Sequence, residues 1–218
     1  MNQDYTKAVA YRLNDVEWEA SPAAGVWRKK LDREHAESGR ATSVVRYDPG
    51  SSFNTHVHDK GEEILVLDGV FSDESGDYSG GWYFRNPPGS SHAPSSEGGC
   101  LLFVKLCHFQ SGDNAHVATA IGDGDWVQEG DAMCRTLHQF DNEQTRICKL
   151  PPHTSLSVPV TQGREVLVAD GAVTWQNAHY PSLSWLRLPS EDSSVITSGE
   201  NGALLLVKTG HFSHLENA

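Results

Sequence analysis

The chain has 218 residues, 38% of them hydrophobic and 21% charged, with six Trp, six Tyr and seven Phe. That composition excludes a disordered or low-complexity polymer and allows one large all-β domain or two compact domains of about 100 residues each. Seventeen Lys and Arg against 29 Asp and Glu give a net charge of -12, which repels phosphate and anionic lipid, so neither nucleic acid nor a membrane is expected as a partner.

Residues 1–19 read as an N-terminal extension that is polar and acidic where a secretory leader is basic and then apolar, so a cytoplasmic protein is expected. Short β-rich runs follow, SVVRY at 43–47, EILVL at 63–67, GWYFR at 81–85 and LLFVK at 101–105. Between them stand turn residues such as Pro49-Gly50, Gly61, Gly69 and Pro87-Pro88-Gly89. The pattern predicts an antiparallel sandwich or barrel, all-β. Both pleat faces of EILVL and LLFVK are apolar. One face is expected to fill a barrel and the other to pack on a sheet of a second barrel or a second chain, and a homodimer is expected.

The second half echoes the first. GEEILVLDG at 61–69 returns as GREVLVADG at 163–171, a shift of 102 residues, and LLFVKLCHF at 101–109 returns as LLLVKTGHF at 204–212. Two homologous barrels are predicted, 20–110 and 126–213, joined by a Gly/Asp-rich linker at 111–125 and followed by a tail at 214–218. The four cysteines form no CxxC pair and are expected as buried, reduced thiols.

Chemistry concentrates in the first repeat. Residues i and i+2 of a strand share a face, so His56 and His58 present two imidazoles to one point, and Glu62 keeps the same parity across the intervening turn. Glu63, the rival carboxylate, has the opposite parity. His92 follows a Pro/Gly turn after a separate strand, which an adjacent strand returns to the same point. Three imidazoles and one carboxylate suit one divalent transition metal per chain, with positions left open for water, substrate or oxygen. No catalytic side chain and no organic-cofactor site is assigned.

Both halves of this motif, Gly50-x5-His56-x-His58-x3-Glu62-x6-Gly69 and Gly81-x5-Pro87-x-Gly89-x2-His92, resemble the two signature motifs of the cupin superfamily. The stretch HVHDKGEEILVLDGVFSDESGDYSGGWYFRNPPGSSHAP is similar to the cupin domain of ChrR-type anti-sigma factors and to small cupin dioxygenases such as acetylacetone-cleaving enzymes. The resemblance implies a bicupin of two tandem double-stranded β-helix (jelly-roll) barrels, with His56, His58, Glu62 and His92 as metal ligands. Asp59 and Lys60 stand where the family usually has glycines. Anti-sigma proteins of this type carry a separate N-terminal zinc module with a His-x3-Cys-x2-Cys cluster. Here His35 has no cysteine in range, so a sigma-factor partner is not expected.

Two functions follow from the resemblance. One is an Fe(II)-dependent dioxygenase acting on a small dicarbonyl or hydroxyketone bound at the metal. The other is a regulatory or sensory cupin whose metal, zinc, is structural. Manganese and nickel are the further candidates for the ion. At the shift of 102, Val158, Val160, Arg164 and Ser194 fall where the four ligands stand in the first repeat, so the second barrel is expected to be degenerate and metal-free. Phe71, Tyr78, Trp82, Tyr83 and Arg85 are read as barrel packing with the option of lining a pocket. His108 and its counterpart His211 are read as packing or surface residues.

Overall fold

Strand Glu62–Asp73 shows how the alternation read in the sequence becomes a barrel wall. In the computed structural model its even residues Ile64 and Val66 join Val26, Tyr47, Phe84, Leu102 and Val104 in one buried core, while Glu63 and Leu65 face the other way. The structure describes residues 1–159 and 162–212. Val160 and the predicted tail at 214–218 lie outside them.

The first unit comprises Met1–Gln3 and Glu17–Asp123, and the second comprises Asp4–Val16 and the chain from Gly124 onward. In the first, strands run in the order 117–120, 82–86, 62–73, 100–106, 41–47, 26–33 and 19–20. In the second the order is 9–12, 184–188, 164–175, 196–209, 143–150, 132–140 and 127–129. Every pairing along both paths is antiparallel. The orders correspond strand for strand, and both units are double-stranded β-helix barrels. Among the described residues no helix is long and apolar enough to cross a membrane.

The units are not cut where the repeat suggests. Val9–Arg12, from the segment read as an extension, pairs with Ser184–Leu188 of the second unit. Val117–Ala120, from the segment read as a linker, pairs with Trp82–Asn86 of the first. Each repeat therefore sends its leading strand into the sheet of the other repeat's unit. A leading strand is specified only by the edge it completes, and the linear pattern does not record which edge that is.

A second local feature shapes the site. Opposite Cys100–Leu106, the register of Glu62–Asp73 slips by one residue at Leu67, a β-bulge that exchanges the two faces of the strand beyond it. Ile64 and Val66 face the core before the bulge, and Phe71 does so after it. The strand recovers its course at Gly69, where φ is +74° and a Cβ would stand 2.2 Å from the Gly99 carbonyl oxygen. The second barrel repeats both the slip and the close approach at Gly171. Gly69→Ala is expected to destabilise the first unit by about 3 kcal/mol, since strain at positive φ adds to a backbone clash that no rotamer relieves. Equilibrium denaturation checks this.

Candidate metal centre

His56 and His58 enter through the short strand His56–Val57, which pairs antiparallel with Ser91–His92 so that His92 stands directly opposite His56. The ladder continues through His58 N–H to the Ser90 carbonyl at 2.9 Å and Gly89 N–H to the His58 carbonyl at 2.9 Å. The adjacent strand expected for His92 is thus the Pro/Gly turn folding back on the HxH segment. One ligand nitrogen from each of the three histidines lies within 4.8 Å of the others, and the ring centroids are 4.7 to 5.0 Å apart.

Glu62 begins the next strand, and its Oε2 lies 3.4 Å from His58 Nε2 and 3.5 Å from His92 Nε2. Gly61 makes this approach possible. Its φ is +79°, and a Cβ there would stand 2.4 Å from the Phe109 ring. Glu63, one residue on, faces away and meets Arg85 at 2.9 Å. Parity thus separates the two carboxylates as their spacing predicts.

The tautomers are set from outside the cluster. His56 Nδ1–H donates to the Asn54 carbonyl at 3.1 Å, which turns its Nε2 lone pair inward. Asp73 Oδ2 lies 3.4 Å from His92 Nδ1, the arrangement in which a carboxylate fixes ring orientation and raises ligand basicity. Asn86 donates to Glu62 Oε2 at 3.3 Å. Nε2 of both His58 and His92 is buried without a hydrogen-bond partner. Buried polar nitrogens left facing one point are what a metal would satisfy, so the donor set fits a divalent transition ion. Asp73, Asn54 and Asn86 escaped the sequence reading. Asp73 shares an inward face with Phe71 only because of the bulge at Leu67.

Burial, then the neighbouring His92 and His56, depress His58 to about 3. His92 is also lowered, chiefly by burial. Burial raises Glu62 to about 7. In the metal-free protein at pH 6, Glu62 is therefore mostly protonated and His58 neutral. A ligand carboxylate must lose that proton, so affinity is expected to rise with pH up to about 7. At saturating metal and pH 6, the wild type is expected to release about one more proton per ion than Glu62→Gln, and the difference is expected to vanish above about pH 8. Calorimetry in buffers of different ionisation enthalpy measures it.

Apolar rings border the cluster, with Phe53 5.8 Å from His56 and Phe71 5.9 Å from His92 between centroids. Tyr78, Trp82 and Phe84 form a mutually packed aromatic group, and Tyr83 is fully buried. Arg85 belongs to a buried ion-pair network with Glu63 and Asp113. His108 is buried apart from the cluster, His211 lies 3.2 Å from Glu165, and His35 is exposed.

In the second barrel Arg164 takes the place of Glu62 and donates to the backbone carbonyls of Asp192, at 2.9 Å, and Ser194. Trp175, at the position of Asp73, donates to Ser194 Oγ at 2.6 Å, and Val158 packs against the apolar core. The register of the motif survives there with a guanidinium in place of the carboxylate ligand and an indole in place of the carboxylate that orients His92. Among the described residues the only cluster of metal-ligating side chains is His56, His58 and His92.

Residues 6–110 match the profile of the ChrR cupin-like domain family. No curated protein matches the chain in sequence. Among solved structures, a protein of Nostoc punctiforme described as a "putative dioxygenase" superposes with TM-score 0.79 at 13% identity, over 94% of this chain and 82% of that one. The Escherichia coli protein Ylba superposes at TM-score 0.71 and 11% identity, over 95% and 93%. Escherichia coli pirin YhhW, solved with nickel(II), does so at TM-score 0.70 and 12% identity, over 93% and 98%.

Proposed function

This chain belongs to the cupin superfamily, and on that premise we propose that its first barrel holds one divalent transition metal on His56, His58, Glu62 and His92 and acts as an Fe(II)-dependent dioxygenase on a small dicarbonyl or hydroxyketone. The observation that carries the reading is the convergence of three imidazoles and a carboxylate with two buried, unpartnered Nε2 atoms in an apolar surround. An iron ion in such a site supplies Lewis-acid polarisation of substrate oxygens and open positions for oxygen.

The chain's own residues do the rest. Asn54 and Asp73 hold the His56 and His92 rings in their ligating tautomers. His58 and His92 are buried while His56 is half-exposed beside Val57, itself 59% exposed, so substrate approaches from the His56 side. Phe53 beside His56 gives that approach an apolar wall and buried Phe71 backs His92, a surround suited to a small carbonyl compound and poor in competing water.

The match of residues 6–110 to the ChrR cupin-like profile favours a second reading, a regulatory cupin with structural zinc. One experiment separates them. Chain purified without added metal is analysed for metal content, then loaded anaerobically with Fe(II) and assayed for oxygen uptake against a panel of small diketones and hydroxyketones. The dioxygenase reading expects iron-dependent uptake matched by loss of one carbonyl compound. Zinc as the resident ion, with no uptake from any member of the panel after iron loading, overturns it.

A further inference from the structure

Cys134 and Cys148 lie in the second unit, far in sequence from the ligands, and the proposed function does not use them. They stand directly opposite each other on the antiparallel strands Ala132–Phe140 and Glu143–Leu150. Their side chains enter the same apolar core, and their Sγ atoms are 2.7 Å apart. Both thiols are free. Residues directly opposed in an antiparallel pair have Cα atoms about 4.5 or 5.5 Å apart, and both separations lie within the span that a disulfide bridges. The Cα spacing of the pair is thus compatible with a bond between them.

We propose that Cys134 and Cys148 are a redox-active pair that closes into a cross-strand disulfide by exchange with a low-molecular-weight disulfide such as oxidised glutathione. Cys134 is the entry point. It is 4% exposed where Cys148 is fully buried, and it pairs with Val127 on the outermost strand of its sheet, Val127–Glu129, where Val127 is 60% exposed. Fraying of that three-residue edge uncovers Cys134 alone. The neighbouring Cys148 lowers the Cys134 thiol, while the Cys134 sulfur and burial push Cys148 up, which agrees with Cys134 attacking first.

In the first exchange the Cys134 thiol loses its proton and its sulfur attacks the glutathione disulfide, forming a mixed disulfide and releasing one glutathione thiolate. Cys148 then loses its proton and attacks the Cys134 sulfur, forming the internal bond and releasing the second glutathione. The protein loses two hydrogens and two electrons go to the oxidant, which leaves as two thiols.

The full chain is incubated across a series of oxidised-to-reduced glutathione ratios, in one arm native and in another unfolded and refolded in the same mixture, then alkylated and digested without reduction for mass spectrometry. The expected product in either arm is a Cys134–Cys148 linked peptide two hydrogens lighter than its parts, with Cys100 and Cys107 alkylated. Cys148→Ser is expected to stop at a glutathione adduct on Cys134. Recovery of both residues as free thiols from both arms, or linkage of either to Cys100 or Cys107, overturns the proposal.

Discussion

Replacing His92 with alanine is expected to abolish metal retention and leave the β-sheet signature intact. His92 supplies one of the three converging nitrogens, and it is the member that Asp73 orients. Asp73→Asn removes the negative charge but keeps the side-chain volume, and it is expected to weaken metal affinity by about 10- to 100-fold, the range seen when an outer carboxylate partner of a ligating histidine is lost. His92→Ala is expected to exceed that range. Elemental analysis after dialysis against a chelator, with circular dichroism of the same samples, reads both. One ion per chain is the expected wild-type value, unchanged in Arg164→Ala, because the second barrel has Arg164 and Ser194 where the first has Glu62 and His92. Retention of a full equivalent by His92→Ala, or a second equivalent bound by the wild type, would refute the ligand assignment.

Arg85→Ala is expected to destabilise the first unit by about 3 to 5 kcal/mol, the cost of leaving buried charges without their partner. The guanidinium is fully buried, 2.9 Å from Glu63 and 2.5 Å from Asp113, and it stacks 4.0 Å from the centroid of Phe109. Truncation leaves two nearly buried carboxylates without this partner and an aromatic face uncovered. The triple variant Arg85→Met, Glu63→Gln, Asp113→Asn is expected to recover part of the loss, because the uncompensated charges go with the arginine. Denaturant titration of the three proteins tests this. Metal content of the folded Arg85→Ala chain is expected to stay at the wild-type value, since Glu63 and Glu62 lie on opposite faces of one strand.

How much of this was legible depended on whether geometry followed from local spacing. His56 and His58 share a face by strand period alone, and parity separated Glu62 from Glu63. The repeat at a shift of 102 residues anticipated two barrels whose strand orders correspond. Asp73 was not legible. An unbroken alternation from Glu62 would put it on the outward face with Glu63, and only the extra residue at Leu67, absorbed by the paired strand, brings it inward. The unit boundaries were not legible either, because pairing partners of Val9–Arg12 and Val117–Ala120 are remote in sequence and neither run differs in composition from an ordinary edge strand.

The exchanged leading strands set the order in which the polypeptide can mature on the ribosome. Residues 9–12 are synthesised long before their sheet partners 184–188. Asp4, whose carbonyl accepts from Arg187, waits through 183 residues of translation for that contact. The first unit, in turn, lacks its edge until residue 120 has left the exit tunnel. The first barrel therefore stays open at one edge until the segment after its repeat is made, and strand 9–12 stays unpaired until 184–188 emerges, so the nascent chain carries uncovered strand edges while the second repeat is being synthesised. A gene fragment cut at the repeat boundary, encoding 20–110 alone, would keep all four proposed ligands and lose the strand that seals the sheet. The fragment to express is 17–123.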